Sequence, residues 1–118
     1  MTAEDHDDKI RPGGPPAVIT MPAEIDITNA DQVRQALLSA VERQVPVLIV
    51  DMSRTTFCDS AGVQAVIAAY RQAAMTGTQL RLVATEVRRI FTVIGADQLI
   101  PTYPTLESAL AGPPAGYN

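Results

Sequence analysis

The apolar run Val47-Leu48-Ile49-Val50, held between Pro46 and Asp51, constrains this chain more than any other stretch. Its β-branched content and lack of polar alternation favour a strand buried on both faces. A short loop, Ser53 to Thr56, separates it from Phe57-Cys58-Asp59-Ser60-Ala61-Gly62-Val63 and a segment free of helix breakers to about Met75. A strand that ends in a tight turn opening a helix is half of a β-α-β unit, with Ser60 at the N-cap position. In such folds ligands and partners dock at the carboxyl ends of the strands.

The rest of the chain repeats the alternation. Ala17 to Met21 predicts a first, short strand bounded by Pro22. Thr28, with Asp31 three residues on, predicts a capped helix running to about Arg43. Its apolar face is Val33, Leu37, Leu38, Ala40 and Val41, and Pro46 ends it. The helix after Ser60 has the stripe Val63, Val66, Ile67, Tyr70 and Ala74 and stops at Gly77. Leu80 to Ala84 is the next strand. Thr85 can cap a short helix with Val87, Ile90, Phe91 and Ile94 on its apolar side, closed by Gly95. Leu99-Ile100 with Thr102-Tyr103 reads as a Pro-interrupted edge strand, and Thr105 to Ala111 as a last helix. The order β, α, β, α, β, α, β, α implies an α/β fold with a largely parallel sheet and covering helices.

With 118 residues the chain holds one domain. Residues 1–16 read as a disordered acidic leader that ends in a Pro/Gly run, 17–111 as the domain, and 112–118 as a flexible tail. Aromatics are only 4% against 47% hydrophobic residues, so Val, Ile, Leu and Ala must build the core. A net charge of −4 argues against nonspecific binding to nucleic acid or an anionic membrane. The acidic start does not resemble a signal peptide, and no apolar run is long enough to span a bilayer. The lone Cys58 cannot form an internal bridge, which suits a reducing, cytoplasmic setting.

Several chemistries lack their parts. His6, the single histidine, lies in the leader, so neither a metal cluster nor a Ser-His-Asp triad is expected. No Gly-rich phosphate loop precedes a helix, and no cofactor is expected. Asp26, Asp51 and Asp59 fall at strand ends, where carboxylates ordinarily cap or are solvated rather than catalyse. Cys58 near a helix N-terminus is a candidate redox residue, set against a plain buried hydrophobe beside Phe57. Ser60 by composition is a helix cap. Gly62, however, is a costly residue in a first helical turn, which suggests that another backbone approaches there. Gln64, Ala65, Ala68, Arg71 and Gln72 form a low-profile flank suited to docking.

Taken together, Val47 to Ser53 and Phe57 to Val63 resemble the signature of the STAS domain of bacterial anti-sigma factor antagonists: an apolar strand, a Φ-x-D-S-[SAT]-G-Φ turn, then a helix. Glu24-Ile25-Asp26 resembles that family's early G-E-[IL]-D, and Val87 to Gly95 with Leu99 its later V-x-[RK]-Φ-F-x-Φ-x-G. The resemblance covers residues 17–111. It implies a single domain with a mixed four- to five-stranded sheet and about four helices mainly on one side. It also implies that Ser60 is phosphorylated by an anti-sigma factor that is an ATP-dependent serine kinase. The bare form would bind that kinase and free a sigma factor, and a PP2C-type phosphatase would restore it. Asp26, Asp59, Ser60, Ala61, Gly62, Gln64, Ala65 and Ala68 are the expected partner-binding residues. The protein itself is expected to be a non-enzymatic monomer or weak dimer. Alternatives are a STAS sensor or scaffold binding a nucleotide, lipid or larger assembly, and an antagonist gated through Cys58. The chain departs from the pattern in three places: Ala23 stands where Gly is usual, Ala96 where Leu is frequent, and the first strand is short.

Overall fold

A computed structural model describes residues 14–112. The expected leader up to residue 13 and the tail from 113 lie outside the described residues, as does His6. Strand β1 (Ala17–Thr20) is followed by β2 (Glu24–Ile25), α1 (Ala30–Glu42), β3 (Val47–Met52), β4 (Phe57–Cys58) and α2 (Ser60–Thr76). Then come β5 (Gln79–Ala84), α3 (Arg88–Ile94), a 3-10 turn (Ala96–Gln98), β6 (Thr102–Tyr103) and α4 (Leu106–Leu110).

The main sheet has the order β1-β3-β5-β6, and β2 pairs with β4 as a separate two-stranded ladder. The α/β class with four helices is as the sequence predicts. Where a mixed sheet was implied, every pairing among the described residues is parallel.

Strand β3 explains the layering. Leu48, Val50 and Met52 point into the large core with Val33, Leu37 and Val41 of α1, Val63, Val66 and Ala69 of α2, and Phe91 of α3. Ile49, of opposite parity, packs with Val83, Tyr103, Leu106 and Ala109 on the other face, under α4. Burial on both faces is therefore real, with three helices on one side and one on the other. The α4 face carries a polar fastening that the sequence did not signal. Buried Arg81 donates from Nη1 to the Ala109 carbonyl at 2.6 Å and from Nη2 to Gln79 Oε1 at 2.9 Å.

The helix ends match the sequence pattern at some termini and depart from it at others. Gly77 and Gly95 end α2 and α3 at φ of 83° and 90°, a left-handed conformation that glycine adopts without strain. Thr105 caps α4 in a reciprocal box with Ser108. Thr28 does not cap α1: the helix starts two residues later, and Thr28 instead donates to Asp26. Thr85 does not cap α3, whose N-cap position is Val87, with no side-chain cap. In the α2 stripe Ala74 is exposed while Ala69 and Ala73 are buried, and Ile94 of α3 is also exposed.

Candidate functional site

Strands β2 and β4 are the elements that sequence reading missed, and their pairing organises the site. Two residues are too few to show a periodicity, so Phe57-Cys58 read as part of a turn. The parallel register sets Glu24 beside Phe57 and Ile25 beside Cys58. The next residues along the two strands are Asp26 and Asp59, and the Asp59 N–H donates to the Ile25 carbonyl at 3.1 Å. Adjacent strands lie about 4.8 Å apart, so this ladder brings Asp26 to the start of α2. It is tied to the main sheet's loops by Thr55, whose buried hydroxyl donates to the Pro22 carbonyl at 2.8 Å. The Thr56 N–H donates to the Ala23 carbonyl at 2.8 Å.

Asp59, not Ser60, caps α2. Its Oδ1 accepts from the Ala61 and Gly62 amides at 3.0 and 3.2 Å, and its backbone is extended as a cap requires. Ser60 is the first helical residue, and it is exposed. An Asp-Ser pair at a helix start offers either residue as the cap, and the one whose backbone stays extended takes the role. The hydroxyl is thereby left without an assigned structural duty.

Gly62 is buried, contrary to the idea that its missing side chain serves an approaching molecule. A methyl there would come within 2.5 Å of Cys58 Sγ and 2.8 Å of Ile25 Cγ2. Glycine is required so that α2 can sit directly on the β2–β4 ladder. Ala65 is also buried, at 3% exposure, whereas Gln64 is exposed and Ala61 and Ala68 are half-buried. Ala61, Gln64, Ala65 and Ala68 nevertheless line one open groove of about 440 Å³, completed by Ile27, Ala30, Asp31 and Arg34 of the α1 side. Ile27, which sequence reading passed over, is 80% exposed there.

The carboxylates are committed locally. Asp51 Oδ1 accepts from the Ser53 N–H at 2.9 Å, and Asp59 holds the cap. Asp26 Oδ1 accepts from both the N–H and the hydroxyl of Thr28, which hold its carboxyl below the usual range. Three carboxylates each serving its own turn do not form an acid–base pair. Cys58 is buried, and removal from water, then the neighbouring Asp59 charge, push its thiol up to about 11. A thiol raised in this way carries little of the reactive thiolate at neutral pH. Phe57, by contrast, is half-exposed on the opposite side of the strand, since neighbours on a strand face apart. Among the described residues no group of His, Cys, Asp and Glu could hold a metal ion.

The described residues thus form a parallel α/β domain with an exposed serine on the first turn of α2, flanked by engaged carboxylates. Comparison with known proteins is consistent with that fold. The family model for the STAS domain matches residues 7–109. An anti-sigma factor antagonist from Mycobacterium paratuberculosis is 31% identical, with a TM-score of 0.72 over 81% of this chain and 83% of that one. The anti-sigma factor antagonist SpoIIAA in its unphosphorylated form is 25% identical, with a TM-score of 0.66 over 81% and 85%. A sulfate transporter family protein from Wolinella succinogenes, at 20% identity and a TM-score of 0.70 over 81% and 82%, shares the fold. The chain belongs to the STAS domain family, and anti-sigma factor antagonists are among the members it resembles. Among the described residues no helix is long and apolar enough to cross a membrane.

Proposed function

We propose that this protein is an anti-sigma factor antagonist, a phosphorylatable binding module rather than an enzyme. In this reading the bare form binds an anti-sigma factor with serine kinase activity and so frees a sigma factor in the cytoplasm. Phosphorylation of Ser60 blocks binding, and a PP2C-type phosphatase reverses it. Asp26, Asp59, Ser60, Ala61, Gln64, Ala65 and Ala68 form or support the contact surface, Gly62 acting from beneath it. The observation that carries the reading is the exposed Ser60 hydroxyl on the first turn of α2, beside the end of a ladder that delivers Asp26.

The physics of the switch follows from that geometry. A phosphate adds about −1.5 to −2 charges. The Ala61 and Gly62 amides that could receive it are already held by Asp59, and Asp26 keeps its own charge nearby. The added charge must therefore be met by solvent or by the partner. Enclosing it in an interface without a cation costs several kcal/mol, and about 3 kcal/mol weakens binding more than a hundredfold. No refolding is needed, because α2 keeps its cap.

The test is phosphorylation with labelled ATP by purified anti-sigma factor kinases, comparing wild type with Ser60→Ala and Ser60→Glu. Ser60→Ala should bind the kinase and take no label, while Ser60→Glu should fold and bind at least tenfold more weakly. Labelling of Ser60→Ala to the wild-type level would show that the site is wrong.

A second reading, a STAS module that binds a small ligand, draws on one feature. A groove of about 360 Å³ between β4 and α3 is lined by Phe57, Val87, Ile90, Val93 and Arg89. Titration with nucleotides and with fatty acids, followed by amide shifts at these residues, separates the two readings.

A further inference from the structure

We infer that Thr28 and Asn29 are positioning residues for Asp26, fixing one oxygen of its carboxylate so that the other stays available to the protein that docks at Ser60. The inference rests on the antagonist reading. Asp26 is half-exposed, and a free carboxylate there would sample several rotamers. Here Oδ1 accepts from the Thr28 N–H at 2.9 Å and also from the Thr28 hydroxyl. Oδ2 takes no hydrogen bond among the described residues. One edge of the carboxylate is held, and the other can accept a charge-assisted bond from an arginine, a lysine or an amide of the partner.

Asn29 holds the loop from the other side. Its Oδ1 accepts from the Asp26 N–H at 3.0 Å, and its Nδ2 donates to the Glu24 carbonyl at 2.9 Å. The Asn29 and Ala30 amides both return to the Asp26 carbonyl, at 3.1 and 2.8 Å. Asn29 occupies the N-cap position of α1, where Asn ordinarily accepts from the helix's first amides. It makes no such bond, and α1 is left without a side-chain cap. Both ends of the amide are spent instead on the link between β2 and the helix. A loop ordered before contact loses less entropy on binding, which for one such side chain amounts to roughly three- to tenfold in affinity.

The experiment measures affinity for the kinase that labels Ser60, using wild type, Asp26→Asn, Thr28→Val, Thr28→Ser and Asn29→Ala, each checked for folding by circular dichroism. A carbon-detected NMR titration of the Asp26 carboxyl accompanies it. Asp26→Asn should lose most affinity. Thr28→Val should bind roughly three- to tenfold more weakly, with the Asp26 midpoint rising toward its ordinary value. Thr28→Ser, which keeps the hydroxyl, should restore both. Should Thr28→Val unfold, Asn29→Ala carries the test with the same expected loss. A folded Thr28→Val at wild-type affinity and midpoint removes the inference alone. Wild-type affinity in Asp26→Asn removes the contact role of Asp26 and the inference with it. Absence of any Ser60 labelling removes the antagonist reading and everything built on it.

Discussion

Gly62→Ala sets two explanations of one residue against each other. If Gly62 is small because a partner's backbone approaches α2, alanine should stabilise the isolated protein, since glycine costs a helix about 1 kcal/mol relative to alanine. The structure gives the opposite sign. The added methyl would lie 2.5 Å from Cys58 Sγ and 2.8 Å from Ile25 Cγ2, both closer than non-bonded atoms normally approach a side-chain carbon. Cys58 is 6% exposed and Ile25 fully buried, so neither can swing into solvent. Overpacking of this kind costs about 1–3 kcal/mol, and the gain in helix propensity offsets part of it. A net loss of up to about 2 kcal/mol is expected, or a fall in Tm of about 4–8 °C for each kcal/mol lost in a domain near 100 residues. Urea unfolding followed by circular dichroism measures it. Combining Gly62→Ala with Cys58→Ala removes the sulfur, so the double mutant should lose less than the sum of the singles, by about 1 kcal/mol, as residues in contact do. A Gly62→Ala protein as stable as wild type but deficient in kinase binding would refute this packing argument and restore the first explanation.

Other consequences can be checked on the protein alone. Asp59→Ala removes the α2 cap and should cost about 1 kcal/mol in urea unfolding, whereas Asp59→Asn, which can still cap, should cost a few tenths. Cys58 should react with iodoacetamide at pH 8 far more slowly than a free thiol, and at an ordinary rate once urea unfolds the chain. The folded thiol is raised from 9.0 to about 11, so the folded state keeps its proton where the unfolded state has lost it. Stability should therefore fall as pH rises from about 9 to about 11, and Cys58→Ala should flatten that fall. A slope unchanged in Cys58→Ala would assign it to other groups.

Much of this was legible in one dimension, and the parts that were not share a cause. Val47 to Val50 announced a two-face strand because an apolar run without alternation leaves no side for water. Gly77 and Gly95 announced helix ends because their left-handed conformations disfavour most other residues. Thr105, expected only as the start of the last helix, caps it because its partner, Ser108, stands three residues away. Thr28 and Thr85 failed as caps because a capping signal states what a side chain can do, not where the helix will begin: the N-cap positions are Asn29 and Val87. Thr28 lies one residue before the N-cap position of α1, and its N–H and hydroxyl both donate to Asp26.

The motif Cys58-Asp59-Ser60-Ala61-Gly62 drew attention to the right place and supplied a serine, an acid and two small residues. Their division of labour was decided only in three dimensions. Pairing of Glu24-Ile25 with Phe57-Cys58, more than thirty residues apart, fixes where β4 ends. That end leaves the Asp59 backbone extended and makes it the cap, which frees Ser60. The same pairing places Ile25 and Cys58 under Gly62 and turns an apparent docking feature into a packing one. Local pattern therefore determined the alternation of strands and helices, because propensity and periodicity act over a few bonds. Which residue caps, which packs and which faces solvent was decided by contacts distant in sequence, because only they set the position of one element against another.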